Sequence, residues 1–367
     1  MTPLSRRSFT FSACLALASL LAASGRAPLA VARQATPVLD IPVPIEFPRD
    51  DGVHDTSIEW WYFTGNIQTE AGERLGFEYV MFRAKPGELE GFVSHFAITS
   101  PGRQEFTYDQ RIDGVRGVRG DGAALDLDLD GWTMYGENGN FELRADMPGY
   151  AIDLTLATQK PAALHDGDGY IDYGNGTASY YYTWTRLKVT GTVAINGVDQ
   201  RVFGEAWMDH QWGDFATYQE GGWDWFSVQL ENNYDLMLYV VRGPQGEFLR
   251  VDGTLVDPAG AATFYGPDDF TITPTASWTS PLTNTTYPSA WEIEVPSASL
   301  ALAVTPILEE QELDTRSTTG VIYWEGAVDI TGTQDGSPVA GHGYVELTGY
   351  APYEPIGTPA AIASPAP

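Results

Sequence analysis

Between residues 49 and 352 apolar and polar side chains alternate with period two almost everywhere, and no convincing apolar stripe recurs at helical spacing. Leu125, Leu127 and Leu129 are separated by Asp126 and Asp128, and Phe141, Leu143 and Ala145 by Glu142 and Arg144. Ile152, Leu154 and Leu156 follow the same rule, as do Trp291, Ile293 and Val295 around Glu292 and Glu294. In an extended chain successive side chains point to opposite faces, so this pattern places one face on a core and the other in water. The chain is therefore expected to be all-β and antiparallel. Turn signals agree. Asn196-Gly197 separates two apolar runs, and a type I′ hairpin needs positive φ at both central residues, which Asn-Gly supplies. Asp113-Gly114, Asp130-Gly131, Asp252-Gly253 and Asp335-Gly336 mark further turns, and 39 glycines with 24 prolines suit a turn-rich chain.

The pattern also repeats. Trp60-Trp61-Tyr62-Phe63-Thr64 is echoed by Trp223-Asp224-Trp225-Phe226-Ser227, each followed by an apolar strand ending in arginine, Phe77 to Arg83 and Leu236 to Arg242. Later in each half Gly191–Ile195 resembles Gly326–Ile330, and Gly204–Asp209 resembles Gly341–Glu346. The same order in both halves indicates an internal duplication. Two antiparallel meanders must each hide their sheet edges, and closure into tandem lipocalin-like β-barrels does so directly. A double sandwich satisfies the alternation equally well.

The ends have a different character. Arg6-Arg7 precedes an apolar run from Phe11 to Ala23, then small residues with Ala30-Val31-Ala32 as a cleavage site. That order describes a signal peptide, in the twin-arginine form. Residues 1–32 are expected to engage the Tat export machinery, placing the product in the periplasm, the cell envelope or outside. Residues 33–48 read as an extended lead-in, 49–213 and 214–352 as the two domains, and 353–367 as a Pro/Ala-rich tail. Cys14 is the single cysteine, so the expected mature chain has no disulfide or thiol nucleophile. No other apolar run approaches the ~18 residues of a membrane helix. A formal net charge of −29 excludes unspecific nucleic-acid binding and opposes docking on anionic lipid.

Aromatic and ionisable residues gather in three strings: Glu59-Trp60-Trp61-Tyr62-Phe63, Trp207-Met208-Asp209-His210-Gln211-Trp212 and Trp223-Asp224-Trp225-Phe226. On a strand His210 and Trp212 share one face, while Trp207, Asp209 and Gln211 share the other. Acids among bulky apolar groups mean either a structural hydrogen-bond network or a reactive cleft. The five histidines lack H-x-x-x-H spacing, so a metal site would have to be assembled in space. No metal, nucleotide or other cofactor is expected. His165-Asp166-Gly167-Asp168-Gly169 reads as a turn-rich loop, with Tyr170 and Thr177 where calcium ligands would stand.

Those strings, with His95-Phe96-Ala97-Ile98 and Ala178-Ser179-Tyr180-Tyr181-Tyr182, resemble the lipocalin-like carotenoid 1,2-hydratase family, whose exported members include proteins described only as lipocalin-like or as secreted hydrolases. The resemblance runs from His54 to Tyr350 and implies paired lipocalin-like barrels. In the hydratases proper, water adds across the terminal C=C of an acyclic carotenoid without a cofactor. His210 and Trp212 match the His and Trp of the family's Asp-His-x-Trp string. The family's downstream Tyr-x-Asp is matched only at Tyr239, because Val241 stands where the acid belongs.

Such chemistry needs an acid kept protonated by an apolar site, and aromatic faces that stabilise a carbocation by about 0.5–2 kcal/mol each. On this reading Asp209 or Glu59 is the acid, and His210 is the base that orients water. Trp212, Trp61, Tyr62 and Tyr239 form the wall, and His95, Trp223 and Trp225 complete the ligand-binding set. Two functions follow from the same residues: a cofactor-free hydro-lyase for an isoprenoid or polyene, or a non-catalytic envelope protein that carries an apolar ligand. Hydrolysis ranks last for want of a nucleophile motif.

Overall fold

A computed structural model describes residues 43–85, 90–113, 122–173, 176–215 and 221–352. The expected signal peptide, most of the lead-in and the C-terminal tail lie outside the described residues. Among those described there is no α-helix, only three short 3-10 turns at Arg49–Asp51, His165–Gly167 and Pro296–Ala298. The His165 turn falls in the loop read as turn-rich.

The first sheet begins with β1 (Ile58–Thr69), β2 (Arg74–Ala84), β3 (Gly91–Ser100) and β4 (Glu105–Asp113). It continues with β5 (Leu125–Leu129), β6 (Trp132–Glu137), β7 (Asn140–Met147) and β8 (Tyr150–Thr158). Short β9 (Ala163–Leu164) and β10 (Tyr170–Asp172) precede two long strands, β11 (Ala178–Ile195) and β12 (Val198–Asp214). The order β4-β3-β2-β1-β12-β11-β8-β7-β6-β5 brings the edge strands β4 and β5 back together. Arg111 of β4 donates to the Asp130 carbonyl in the β5–β6 turn, so this barrel is nearly closed. Leu125, Leu127 and Leu129 point inward with Phe63, Phe77 and Trp132, as the alternation requires.

The second sheet holds β13 (Trp223–Leu230), β14 (Asp235–Arg242), β15 (Phe248–Val256), β16 (Ala262–Tyr265) and β17 (Thr271–Thr279). Then come β18 (Thr286–Val295), β19 (Leu300–Pro306), β20 (Glu312–Asp314), β21 (Ile322–Gln334) and β22 (Ser337–Leu347). Its path runs β16-β15-β14-β13-β22-β21-β19-β18-β17 and bends into a half-barrel around Trp291, Trp324 and Phe226.

The Asn196-Gly197 turn has φ values of 52° and 78°, with Ile195 opposite Val198. Asp130-Gly131 and Asp335-Gly336 turn in the same way. Asp252-Gly253 does not turn. It lies inside β15, where a Cβ on Gly253 would come within 2.6 Å of Leu238, so this glycine serves close packing. Asp113 ends β4, and the glycine after it lies outside the described residues.

Strand register makes the duplication visible. Tyr62 stands opposite Asp209 and Val80, and Trp225 stands opposite Glu346 and Tyr239, so three of the four matched segments occupy equivalent positions. The fourth match is out of register by six residues. Gly191 pairs with Val202 and its counterpart is Gly332, opposite Val339, rather than Gly326. The packing agrees: a Cβ would strike the neighbouring strand's carbonyl at 2.2 Å on Gly191 and 2.1 Å on Gly332.

The two sheets meet on the outer faces of β1/β12 and β13/β22, through Tyr62, Val80, Tyr181, Trp207, Trp225 and Tyr344. Equivalent residues cross in both directions: Asn66 donates to the Gly343 carbonyl and Gln229 to the Ala206 carbonyl. Arg186 and Lys160 both reach the fully buried Asp235 across the junction, at 2.6 and 2.7 Å.

Candidate active site between the two sheets

A cavity of about 250 Å³ opens at this junction. β1, β3, β11 and β12 supply Tyr62, His95, Tyr181 and Asp209, and β13, β14, β21 and β22 supply Trp223, Trp225, Tyr239, Tyr323 and Glu346. Alternation explains the wall: the residues that do not face either barrel core face the other sheet.

Two carboxyls stand on it, Asp209 buried and Glu346 half-buried. The Tyr181 hydroxyl donates to Asp209 Oδ2 at 2.6 Å, and the Thr183 hydroxyl and the Trp207 indole N–H (2.8 Å) donate to Oδ1. Burial pushes Asp209 up to about 6, against the pull of those donors. Glu346 accepts the Trp223 indole N–H at 2.8 Å, and burial, with the charge of Asp209, pushes it up to about 7. Donors favour the ionised form. A single proton shared by the pair therefore belongs on Glu346, with Asp209 as the carboxylate. Behind Asp209, Thr183 contacts His165 Nε2 (2.7 Å), whose Nδ1 contacts the Thr254 hydroxyl (2.9 Å) of the second sheet. Burial lowers His165 to about 3, so this ring is neutral.

Further acids lie between the sheets. Glu325 accepts the Tyr62 hydroxyl at 2.6 Å, and Glu78 has no hydrogen-bond partner on either oxygen among the described residues. Burial and the charge of Glu346 hold both well above the usual carboxylate range. His95 is also neutral. Burial lowers it to about 3, and its ring nitrogens lie 2.8 Å from the Tyr323 hydroxyl and 3.1 Å from that of Thr318.

The expected constellation divides in two. Tyr62, His95, Asp209, Trp223, Trp225 and Tyr239 line the cavity. Glu59, Trp61, His210 and Trp212 point to the other side of β1 and β12, into the first barrel, where aromatic side chains pack around them. Asp209 and His210 are consecutive, so they cannot face one substrate from the same strand. His210 is not the base for an acid at Asp209, and Trp61 and Trp212 do not wall this cavity. In the barrel His210 Nε2 lies 2.9 Å and His54 Nδ1 2.7 Å from Glu59 Oε1. Burial pushes Glu59 up, but the two imidazoles outweigh it and hold it below its usual value. His54 is raised despite burial, because Asp50 and Glu59 flank it.

One signal was within reach of sequence reasoning, and one partner came only from the fold. Glu346 occupies in the second repeat the place of Asp209 in the first, so the duplication itself names it. The acid missing at position 241 comes from the adjacent strand: Asp252, opposite Tyr239, accepts its hydroxyl at 2.7 Å.

The profile of the family described as AttH-like matches residues 39–350. The chain belongs to the AttH-like family. An AttH protein from Nitrosomonas europaea is 33% identical, its structure aligning with 86% of this chain and 100% of its own at a TM-score of 0.78. Kievitone hydratase from Nectria haematococca shares the fold at 17% identity, 79% and 88% coverage and a TM-score of 0.65. CghA does so at 14%, 81% and 89%, with a TM-score of 0.52. No curated protein sequence matches the chain. The AttH-like family, with the AttH protein and kievitone hydratase, falls in the lipocalin-like, carotenoid-hydratase type of group, as the aromatic strings implied.

Proposed function

We propose that this AttH-like protein binds a small apolar, unsaturated molecule between its two sheets and adds water across a C=C bond. The observation that carries the reading is the pair of acids, buried Asp209 and half-buried Glu346, set among aromatic rings. Among the described residues every hydrogen bond to them comes from an indole, a phenol or a hydroxyl, and none from a basic group. Glu346 donates its proton to the less substituted alkene carbon, and the π electrons form the new C–H bond. The cation left on the other carbon faces the rings of Trp223, Trp225 and Tyr239, each contributing about 0.5–2 kcal/mol. A water oxygen closes on it, and the surplus proton passes to Asp209. The hydratase among the fold relatives supports this reaction type.

Size limits the ligand. A cavity of about 150 Å³ takes one benzene ring, so the 250 Å³ found here suits on the order of ten carbons. That is a small isoprenoid or the end of a longer polyene. A carrier without chemistry is the second reading, favoured by the mostly apolar lining. Ligand-induced quenching of tryptophan fluorescence and incorporation of labelled water separate the two. Glu346→Gln is expected to keep binding and lose at least ~100-fold in turnover. Labelled product from the variant at the wild-type rate removes the catalytic role, and binding without product in the wild type leaves the carrier.

We also propose that the protein works outside the cytoplasmic membrane, on the strength of Arg6-Arg7 and the apolar run after them. Replacing both arginines by lysine is expected to retain the precursor in the cytoplasm, as cell fractionation would reveal.

A further inference from the structure

We infer that His54, Glu59 and His210 form a binding site for one divalent transition-metal ion of the zinc class, inside the mouth of the first barrel and apart from the cavity. Three separate pieces of chain supply the donors: the segment after the first 3-10 turn, β1 and β12. One donor atom from each falls within 4.8 Å of the others. His54 Nδ1 and His210 Nε2 converge on the same oxygen, Glu59 Oε1, at 2.7 and 2.9 Å.

The surroundings hold those donors as metal sites hold theirs. A ligating histidine usually gives its second nitrogen to an outer partner that fixes its orientation. Here His54 Nε2 lies 3.2 Å from Asp50 Oδ1, and His210 Nδ1 lies 3.1 Å from the Tyr182 hydroxyl, itself 2.7 Å from Asp51. The backbone N–H of His54 donates to the other Glu59 oxygen at 3.0 Å. The rings are clamped as well: Trp212 stacks on His54 at 3.9 Å and 5°, and Trp61 on His210 at 4.8 Å. Two imidazole nitrogens and one carboxylate oxygen suit zinc, and equally ferrous or cobaltous ions. His210 and Glu59 are fully buried, whereas the His54 side chain is 18% exposed, which gives an ion its way in. Occupied, the site ties the N-terminal segment to β1 and β12, whose opposite faces carry Tyr62 and Asp209.

The test uses the mature protein, stripped with chelator and titrated with zinc by calorimetry and with cobalt by visible absorption. One ion per chain is expected, with the absorption bands of a nitrogen- and oxygen-ligated cobalt site. His54→Ala and His210→Ala are each expected to weaken uptake at least ~100-fold, and Asp50→Asn about 10-fold through loss of the outer partner. His54 is partly exposed, so its variant tests the site even where His210→Ala fails to fold, and near-ultraviolet circular dichroism reports which does. Glu346→Gln should leave uptake unchanged. Absence of zinc and cobalt uptake by the folded wild type overturns the inference, as does uptake that survives His54→Ala.

Discussion

Asp209 and Glu346 show how burial without a cation divides labour between like groups. Three donors pull Asp209 toward its ionised form, while Glu346 has a single indole donor, so their values separate to about 6 and about 7. Hydration through this pair needs Glu346 protonated and Asp209 ionised. Below about pH 6 Asp209 takes up a proton, and above about pH 7 Glu346 loses its own. The kcat/KM profile is therefore expected to be a bell with its maximum between those values. A profile flat from pH 5 to 8 under steady-state assay would remove both groups from the reaction. Neither histidine lining or backing the cavity replaces them, because burial keeps His95 and His165 neutral throughout this range.

Among the strands, close approach recurs at glycines that the repeat preserves. A Cβ on Gly204 would meet the Asn66 carbonyl at 2.2 Å, and one on its counterpart Gly341 would meet the Gln229 carbonyl at 2.3 Å. Both sit where the cavity-bearing strand pairs with its neighbour, β12 with β1 and β22 with β13. Gly204→Ala should cost about 1–3 kcal/mol, since a backbone carbonyl cannot step aside as a side chain can. Gly102 has nothing within 4 Å, and Gly102→Ala should stay within about 0.5 kcal/mol of wild type. Urea midpoints compare the two, and equal midpoints would contradict the packing. This register was partly legible beforehand. The aromatic strings and the Gly204 and Gly341 runs are long and distinctive, so they aligned correctly. Gly191–Ile195 is a short apolar run, and its similarity to Gly326–Ile330 misplaced the true partner by six residues.

For the molecule as a whole, the junction is an acidic seam between two apolar cores. Glu78, Glu325 and Glu346 are all raised by burial, Glu78 and Glu325 also by the charge of Glu346, and Glu346 by that of Asp209, so the folded chain keeps protons that the unfolded chain has already released. Stability falls with pH wherever the native state binds the more protons. From about pH 7.5 to 9 unfolded histidines are largely neutral, and His54, raised in the fold, acts in the same direction as the acids. Stability should decline across that window. Glu78→Gln should flatten the decline, because Glu78 has no hydrogen-bond partner to lose among the described residues. Melting temperatures of wild type and variant at the two ends of the window check this. A wild type that gains stability as pH rises would contradict the seam.

Period-two alternation, Asn-Gly and Asp-Gly turns and the doubled aromatic strings are local or short-range features. They were enough to determine an all-β chain, its two halves, its family and which residues share a strand face. The tertiary structure alone decided what each face meets. Asp209 and His210 look like one catalytic unit because they are neighbours in the chain, yet the pleat sends one to the other sheet and the other into the barrel. Glu59 reaches His210, and Tyr239 reaches Asp252, only because strand pairing brings separate stretches of chain to about 5 Å. Asp252-Gly253 carries turn chemistry, but the pairing of β14 with β15 and the side chain of Leu238 keep it extended. Local preference sets what a strand segment can do, and the partner across the ladder sets which of those options is used.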